Sequence, residues 1–439
     1  MKKVVKFGGS SLASAEQFKK VGEIIRAEKS RRYVVPSAPG KRNSGDTKVT
    51  DMLYQCYNLA EKNKNYDELL TKIKARYDEI IDGLGLDLSL DEEFHVIREN
   101  LANHAGSNYA ASRGEYLNGI IMSHYLGFEF IDAAEVIFFD ENGNYDAEKT
   151  DAVLSKRLNK VDNAVVPGFY GSKPDGSIQT FSRGGSDITG SIVAKAAKVD
   201  MYENWTDVSG FLIADPRIVN NPKPIDAITY KELRELSYMG ATVLHEDAIF
   251  PVRQQGIPIN IRNTNAPNDP GTLIVEATCR QPKYVITGVA GKQGFASITI
   301  EKAMMNSEIG FCRKVLGVFE ENNISIEHMP SGIDTMTVFV HQSEFEENEQ
   351  KVIAGIHKAV SPDTIELESD LALIAVVGRG MKAKRGTAGR VFSALAHAHV
   401  NVRMIDQGSS ELNIVIGVRN HDFENAIRAI YDIFVETKL

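Results

Sequence analysis

Lys6-Phe7-Gly8-Gly9-Ser10-Ser11 places an ammonium at the end of a β-branched run, then two residues without side chains, then two hydroxyls. Upstream lie Val4 and Val5. Downstream, residues 16–28 carry helical spacing with Phe18, Val21, Ile24 and Ile25 on one face, and 33–35 reads as a second strand. Strand, glycine loop, helix and strand make a βαβ unit, and the rhythm continues to about residue 263, which predicts a parallel α/β domain. Ser14 followed by Gln17 predicts a capping box that starts the first helix just after the loop. Such a loop suits phosphate, because glycines admit backbone N–H groups, a helix N-terminus adds partial positive charge, and Lys6 supplies a full one. Alone, it reads equally well as a tight turn with a surface lysine. Neither GxxxxGK[ST] nor a GxGxxG opening a βα unit occurs, which argues against a P-loop NTPase and a dinucleotide-binding dehydrogenase.

A second glycine pair, in Ser182-Arg183-Gly184-Gly185-Ser186-Asp187, precedes helical spacing at 188–197. Two such loops imply two anionic groups. Arg183 offers a planar fork for a carboxylate, and Asp187 can hold the Lys6 ammonium in place. A third segment, Trp205-Thr206-Asp207-Val208-Ser209-Gly210, ends a strand in a turn-rich loop that reaches Asp215-Pro216-Arg217. Residues 50–104 are helical and charged, predicting an inserted helical subdomain with solvated charged faces, and the polar loop 41–48 before it reads as a mobile cover.

Turn-forming residues crowd 263–284 and mark a boundary. Beyond it the chain repeats itself: a gapless shift of 76 residues pairs Ile298 with Ile374, Met305 with Met381, Gly310 with Gly386, Val315 with Val391, Phe319 with Leu395, Ile324 with Val400, Ile326 with Val402 and Val338 with Ile414. Each copy reads strand, helix, strand, strand, helix, a ferredoxin-like order whose last strand is still to be placed. We expect one domain over 1–283 and two over 284–365 and 366–439, these two standing separately or interleaved.

The composition is globular, 43% hydrophobic and 25% charged over 439 residues. A net charge of −9 gives no cationic field for nucleic acid or anionic lipid. Three scattered cysteines without CxxC predict neither disulfides nor a zinc site, and no run is apolar enough for a membrane helix. The N-terminus lacks a signal-peptide core, so a cytoplasmic, unprocessed protein is expected.

Taken in order, KFGGSS, Ser37-Ala38-Pro39-Gly40-Lys41, Thr50-Asp51-Met52-Leu53, Ser112-Arg113-Gly114-Glu115, SRGGSD, Trp205-Thr206-Asp207, Asp215-Pro216-Arg217, Gly240-Ala241-Thr242-Val243-Leu244-His245 and the tail repeats resemble the aspartate kinases of the amino-acid kinase superfamily, with paired ACT domains. The resemblance implies an α/β fold, a three-layer α/β/α sandwich on a mostly parallel open sheet, followed by two ferredoxin-like α+β domains. It implies phosphorylation of the side-chain carboxylate of L-aspartate by ATP, with Mg²⁺ held through the nucleotide phosphates and no metal ligands of the protein's own. By the same resemblance, Lys6 and Asp187 are the catalytic pair. Aspartate lies against Ser37, Thr50, Glu115, Arg183 and Ser186. ATP lies over Lys6, Gly8, Gly9, Ser10, Thr206, Asp207, Gly210, Leu212, Arg217, Thr242 and Val243. The family usually has Lys at Thr242, and some members have Tyr at Leu212. An inhibitory end product, lysine with threonine as the second candidate, is implied at Met305, Gly310, Phe311, Ser325, Glu327 and Ser331, in a homodimer or dimer of dimers formed through the ACT domains. With the chain ending at Leu439, no homoserine dehydrogenase fusion is expected.

Other members of the superfamily phosphorylate N-acetylglutamate, glutamate, carbamate or UMP. The tail and Glu115 favour aspartate, since N-acetylglutamate has no ammonium for Glu115 to pair with. A non-catalytic amino-acid sensor is the competing class, opposed by the presence of Lys6, Arg183 and Asp187.

Overall fold

The computed structural model describes residues 1–437 apart from 183, 242–243, 245–247, 279–281 and 383. They form two compact units: Met1–Phe211 with Asp226–Tyr230 and Val243–Thr278, and Leu212–Ile225 with Lys231–Thr242 and Cys279–Leu439.

The first unit is built on a sheet of order β3-β4-β2-β1-β7-β9-β10-β8. Its strands are β1 (Lys3–Phe7), β2 (Arg31–Pro36), β3 (Glu129–Phe130), β4 (Ala164–Val165), β7 (Met201–Thr206), β8 (Ala227–Thr229), β9 (Ile259–Asn263) and β10 (Thr272–Val275), and a hairpin of β5 (Tyr170–Ser172) and β6 (Ile178–Thr180) stands apart. Every neighbouring pair in the large sheet is parallel except β9 with β10. All five residues of β1 are buried, as a strand covered on both faces requires.

Helix α1 (Ala15–Arg26) buries the expected stripe Phe18, Val21, Ile24 and Ile25. Ser14 caps it, its hydroxyl accepting from the Gln17 amide at 3.4 Å, but the Gln17 side chain donates to Asn265 and does not close the box. The inserted helices α2 (Val49–Ala60), α3 (Asp67–Leu84) and α4 (Asp91–Ala102) share one core with the sheet, Leu53, Ile73, Tyr77 and Ile97 packing in the same cluster as Val5, Phe7 and Trp205. Helix α5 (Ser107–Leu126) is buried nearly all round. Gly114 and Gly119 let it approach closely, since a Cβ there would come 2.8 Å from Ala38 Cβ and 2.7 Å from Pro167. The short α6 (Ala133–Val136), then α7 (Ala147–Leu158), α8 (Gly185–Ala196) and the short α10 (Phe250–Arg253) complete the unit. Helices α1 and α5 pack together, and α7 and α10 both pack on α8, which lies against β1, β2 and β7.

The second unit contains α9 (Tyr230–Tyr238), which begins at the end of the first unit, and a sheet of order β12-β13-β11-β14-β16-β15. Repeat one runs through β11 (Gly288–Glu301), α11 (Phe311–Glu321), β12 (Ile326–His328), β13 (Thr335–His341), α12 (Gln342–Glu346) and α13 (Glu349–Val360). Repeat two runs through β14 (Thr364–Val377), α14 (Thr387–His397), β15 (Met404–Asp406), β16 (Asn413–Arg419) and α15 (Phe423–Tyr431). The missing last strands are found in β11 and β14, each 14 residues long. The later half of β11 pairs with β13 and the first half of β14, closing repeat one. The later half of β14 pairs with β16 and the first half of β11, closing repeat two. Gly294 (φ 89°) and Asp370 (φ 59°) sit at the middle of the two long strands, where the register shifts.

The gapless repeat alignment holds for the helices, Phe311–Glu321 matching Thr387–His397, but not for the final strand. Ile298 pairs with Val338, and its equivalent Ile374 pairs with Ile416, so Val338 corresponds to Ile416 and not to Ile414. Two additional residues between β15 and β16 cause the slip. A shift of two keeps the same face of a strand inward, so apolar spacing alone does not reveal it.

Candidate active site

Lys6 and Phe7 end β1, and the chain turns at Gly8, whose amide donates to the Trp205 carbonyl at 3.0 Å. A one-turn 3₁₀ segment, Gly9–Leu12, then intervenes before α1. The expected start of α1 at Ser14 is present, with this 3₁₀ turn between it and the glycine pair, so the loop itself offers backbone and Lys6. At α8 the expected geometry is present. Gly184, left-handed at φ 58°, leads directly into Gly185 with no side-chain cap.

Lys6 Nζ lies 2.6 Å from Asp187 Oδ1 with both side chains mostly buried. Asn204, the register partner of Lys6 on β7, donates to the same Asp187 oxygen at 2.7 Å, and Tyr202 Oη donates to the Asp187 carbonyl at 3.1 Å. The ammonium is thus fixed above Gly8, where a Cβ would come 3.7 Å from Nζ. A second backbone wall is added by Ser37-Ala38-Pro39-Gly40 after β2. Gly40 N–H donates to the Gly9 carbonyl at 2.8 Å, and a Cβ on Gly9 would stand 2.9 Å from the Ala38 carbonyl, so only glycine lets these strands of chain meet.

Glu115 on α5 is buried, and its Oε2 has no partner. Burial pushes its carboxyl up to about 8, while the Ala38 backbone amide and the Lys6 and Arg113 charges pull the other way. Thr50, on the first turn of α2, stands beside it, a Cβ on Gly114 falling 3.8 Å from Thr50 Oγ1. Tyr54, one turn further along α2, is pushed above the ordinary tyrosine range by burial and by the Glu115 charge. It also lines a cavity of about 450 Å³ with Asn108, Phe139, Tyr145, Gln179 and Ser182.

The structure therefore gathers Lys6, Gly8, Gly9, Ser37, Thr50, Glu115 and Asp187, and Ser186 follows α8 into the same wall with its hydroxyl packed on Gly168. Gly210 is left-handed at φ 101°, with room for no Cβ beside Thr272 Oγ1. Ser10 and Thr206 are half-buried and Asp207 is exposed. Leu212 and Arg217 belong to the second unit, where exposed Arg217 is paired with Asp215. Arg183, Thr242 and Val243 lie outside the described residues.

Three contributors escaped the sequence reading. Asn204 had a signal, since Glu203-Asn204 interrupts a buried central strand with two polar residues. Phe169, at φ 83°, presents its ring to Gly185 and had none. The third is Arg76, a buried exception among the otherwise largely solvated charges of the inserted helices. It is 6% exposed and hydrogen bonded to the carbonyls of Gly40 and Thr47.

In the second unit, Met305 and Phe311 are core residues, Gly310 is the left-handed N-cap of α11, and Ser325 and Ser331 are exposed. Glu327 does not offer a free carboxylate. Tyr238 donates to its Oε2 at 2.6 Å, and His341 Nε2 lies 3.3 Å from its Oε1.

Among the described residues, no group of three His, Cys, Asp or Glu is placed to hold a metal ion, and no helix is long and apolar enough to cross a membrane. The amino acid kinase family pattern matches residues 1–263, and an ACT domain pattern matches 374–434. Aspartokinase 3 of Bacillus subtilis (strain 168) is 39% identical over 98% of both chains. The crystal structure of Clostridium acetobutylicum aspartate kinase is 51% identical, with a TM-score of 0.91 over 99% of this chain and 100% of that one. The E. coli aspartokinase III complex with lysine and aspartate is 25% identical, with a TM-score of 0.71 over 99% of each chain. A mostly parallel kinase sheet with its paired glycine loops, followed by an antiparallel ACT-type tail, joins with these whole-length likenesses to one conclusion: the chain belongs to the amino acid kinase family and is an aspartate kinase.

Proposed function

We propose that the protein transfers the γ-phosphoryl group of ATP to the side-chain carboxylate of L-aspartate, using the residues gathered around Lys6, and that lysine inhibits it through the ACT-type repeats. The observation that carries the catalytic reading is the buried Glu115 with one unpartnered oxygen, set beside the Lys6–Asp187 pair. A buried carboxylate without a cation fits the α-ammonium of an amino acid, and Arg183 supplies the complementary cation for a substrate carboxylate. Backbone amides at Gly9 and Ser10 can meet the phosphates, for which the close Gly9–Gly40 approach leaves a cradle without side chains. Lys6 stabilises charge on the phosphoryl group as it leaves ADP, and Asp187 with Asn204 keeps the ammonium pointed there. The attacking carboxylate is already ionised at pH 7, so no general base is needed. Mg²⁺, brought on the nucleotide phosphates, adds charge neutralisation.

The regulatory reading rests on Glu327, a carboxylate that a ligand ammonium would have to win from Tyr238 and His341. The E. coli complex holds lysine and aspartate together. A homodimer or dimer of dimers through the repeats and a cytoplasmic site, serving lysine, threonine or diaminopimelate formation, complete the proposal. A coupled assay of ADP release with aspartate, repeated with lysine and threonine singly and together, tests it. No aspartate-dependent ADP release refutes the catalytic assignment, and inhibition by threonine alone refutes the ligand.

A further inference from the structure

We propose that Arg76, on α3, is the positioning residue that locks the Gly8-Gly9 loop of the phosphate cradle to the Ser37–Gly40 loop behind it and to the start of α2. The proposal rests on the kinase reading of those loops.

The guanidinium is buried, and its donors fan out to separate pieces of backbone. Nη2 donates to the Gly40 carbonyl at 2.8 Å and approaches the Ala13 carbonyl at 3.4 Å, while Nη1 donates to the Thr47 carbonyl at 2.9 Å. Asp46 Oδ2 lies 3.2 Å from Nη1. Ala13 closes the 3₁₀ turn that begins at Gly9, Gly40 is the residue whose amide meets the Gly9 carbonyl, and Thr47 stands three residues before Thr50. One side chain therefore spans the ends of the phosphate loop, the loop behind it and the approach to the aspartate wall. Residues 41–48 are otherwise a largely exposed stretch, tied to α3 also through Arg42 and Glu79. Arg42, also bonded to Asp46, and Glu79, one turn along α3 from Arg76, extend the staple outward.

Arginine is required by the geometry. Its planar fork reaches three carbonyls and a carboxylate in different directions, whereas a lysine ammonium is a single point. Phosphoryl transfer depends on alignment of two bound substrates, so a displacement of the cradle by about an ångström lowers turnover by up to roughly 10²-fold. Arg76 touches neither substrate. Its loss should appear in kcat far more than in either KM.

The test compares wild type with Arg76→Lys. The expected result is kcat lowered about tenfold or more with each KM changed by less than about threefold, an unchanged melting temperature to within a few degrees, and faster tryptic cleavage at Lys41, Arg42 and Lys48. Wild-type kcat in Arg76→Lys, whatever its melting temperature, overturns the positioning role. If Arg76→Lys does not fold, Asp46→Asn reads the same staple. Faster loop cleavage with a lowered kcat supports it, and wild-type values of both overturn it. A wild-type enzyme without aspartate-dependent ADP release overturns the kinase reading instead, and the cleavage rates then still decide whether Arg76 clamps the loops.

Discussion

Replacing Glu115 by Gln separates what the buried carboxyl does for the fold from what it does for substrate. In the free enzyme its carboxyl is held near 8 against an ordinary 4.5, chiefly by burial. The folded state therefore keeps a proton that the unfolded chain has already released, and stability falls as pH rises from about 4.5 through 8. The slope is at most one proton, about 1.4 kcal/mol per pH unit, so between pH 5.5 and 7.5 the wild type should lose roughly 2–3 kcal/mol relative to a variant whose neutral amide does not titrate. Glu115→Gln should thus melt increasingly above wild type as pH rises, with the gap levelling off above pH 8.

Aspartate binding should show the opposite face of the same proton. A substrate ammonium pairs with the ionised form, so the apparent KM scales as one plus the ratio of protonated to ionised Glu115. Below pH 8 that ratio grows tenfold per unit, making KM roughly 25-fold higher at pH 6.5 than at 8.5. Glu115→Gln should lose both the affinity and the pH dependence. Melting curves by scanning fluorimetry without ligands, beside aspartate titrations in the coupled assay, measure the two effects. Parallel melting profiles, or a wild-type KM flat from pH 6.5 to 8.5, would refute the assignment of a buried, protonated Glu115 as the ammonium partner.

Lys6→Ala should lower kcat by roughly 10²-fold or more with smaller changes in either KM, and a raised KM for ATP at normal kcat would contradict the catalytic role. Gly210→Ala forces a Cβ to 2.3 Å from Thr272 Oγ1 at a left-handed backbone position, and it should cost about 1–3 kcal/mol in denaturant unfolding; an unchanged midpoint would contradict this. Tyr238→Phe removes the hydroxyl that competes for Glu327 and should tighten lysine inhibition about 2- to 10-fold, the worth of one hydrogen bond; weakened inhibition would show that Tyr238 helps to hold the ligand.

The features legible in the sequence were those with a local cause. The glycine loops, the buried stripe of α1 and the Ser14 cap follow from spacing within a few residues. Helix α5 gives no amphipathic signal because both of its sides are buried, and its role appears only when Gly114 meets Ala38. Arg76 looks like any charge on a charged helix, because its partners at 13, 40 and 47 are distant in sequence and are backbone carbonyls, which carry no residue identity. The repeat was legible in its helices but misaligned in its last strand, since apolar alternation is blind to a slip of two. Which strands the repeats share was not legible for a related reason: a long strand whose halves close different repeats of one sheet keeps the same alternation throughout.

That sharing bears on how a ligand at repeat one would be felt. Because β11 and β14 each run through both repeats, a change in the first cannot move its closing strand without pulling on a strand of the second. Helix α9 samples both. Its Glu232, fully buried, accepts from Thr287 Oγ1 at 2.6 Å and from Arg379 Nη1 at 2.9 Å, and Glu235 accepts from Asn413 at 2.7 Å, all beside the strands of repeat two. Its last residue, Tyr238, reaches Glu327 in repeat one. Glu327 is held on its other side by His341 Nε2 at 3.3 Å, and the Tyr238 ring carries the Lys292 ammonium at 5.2 Å, so an ammonium drawn to Glu327 would disturb a cluster that joins the end of α9 to both repeats.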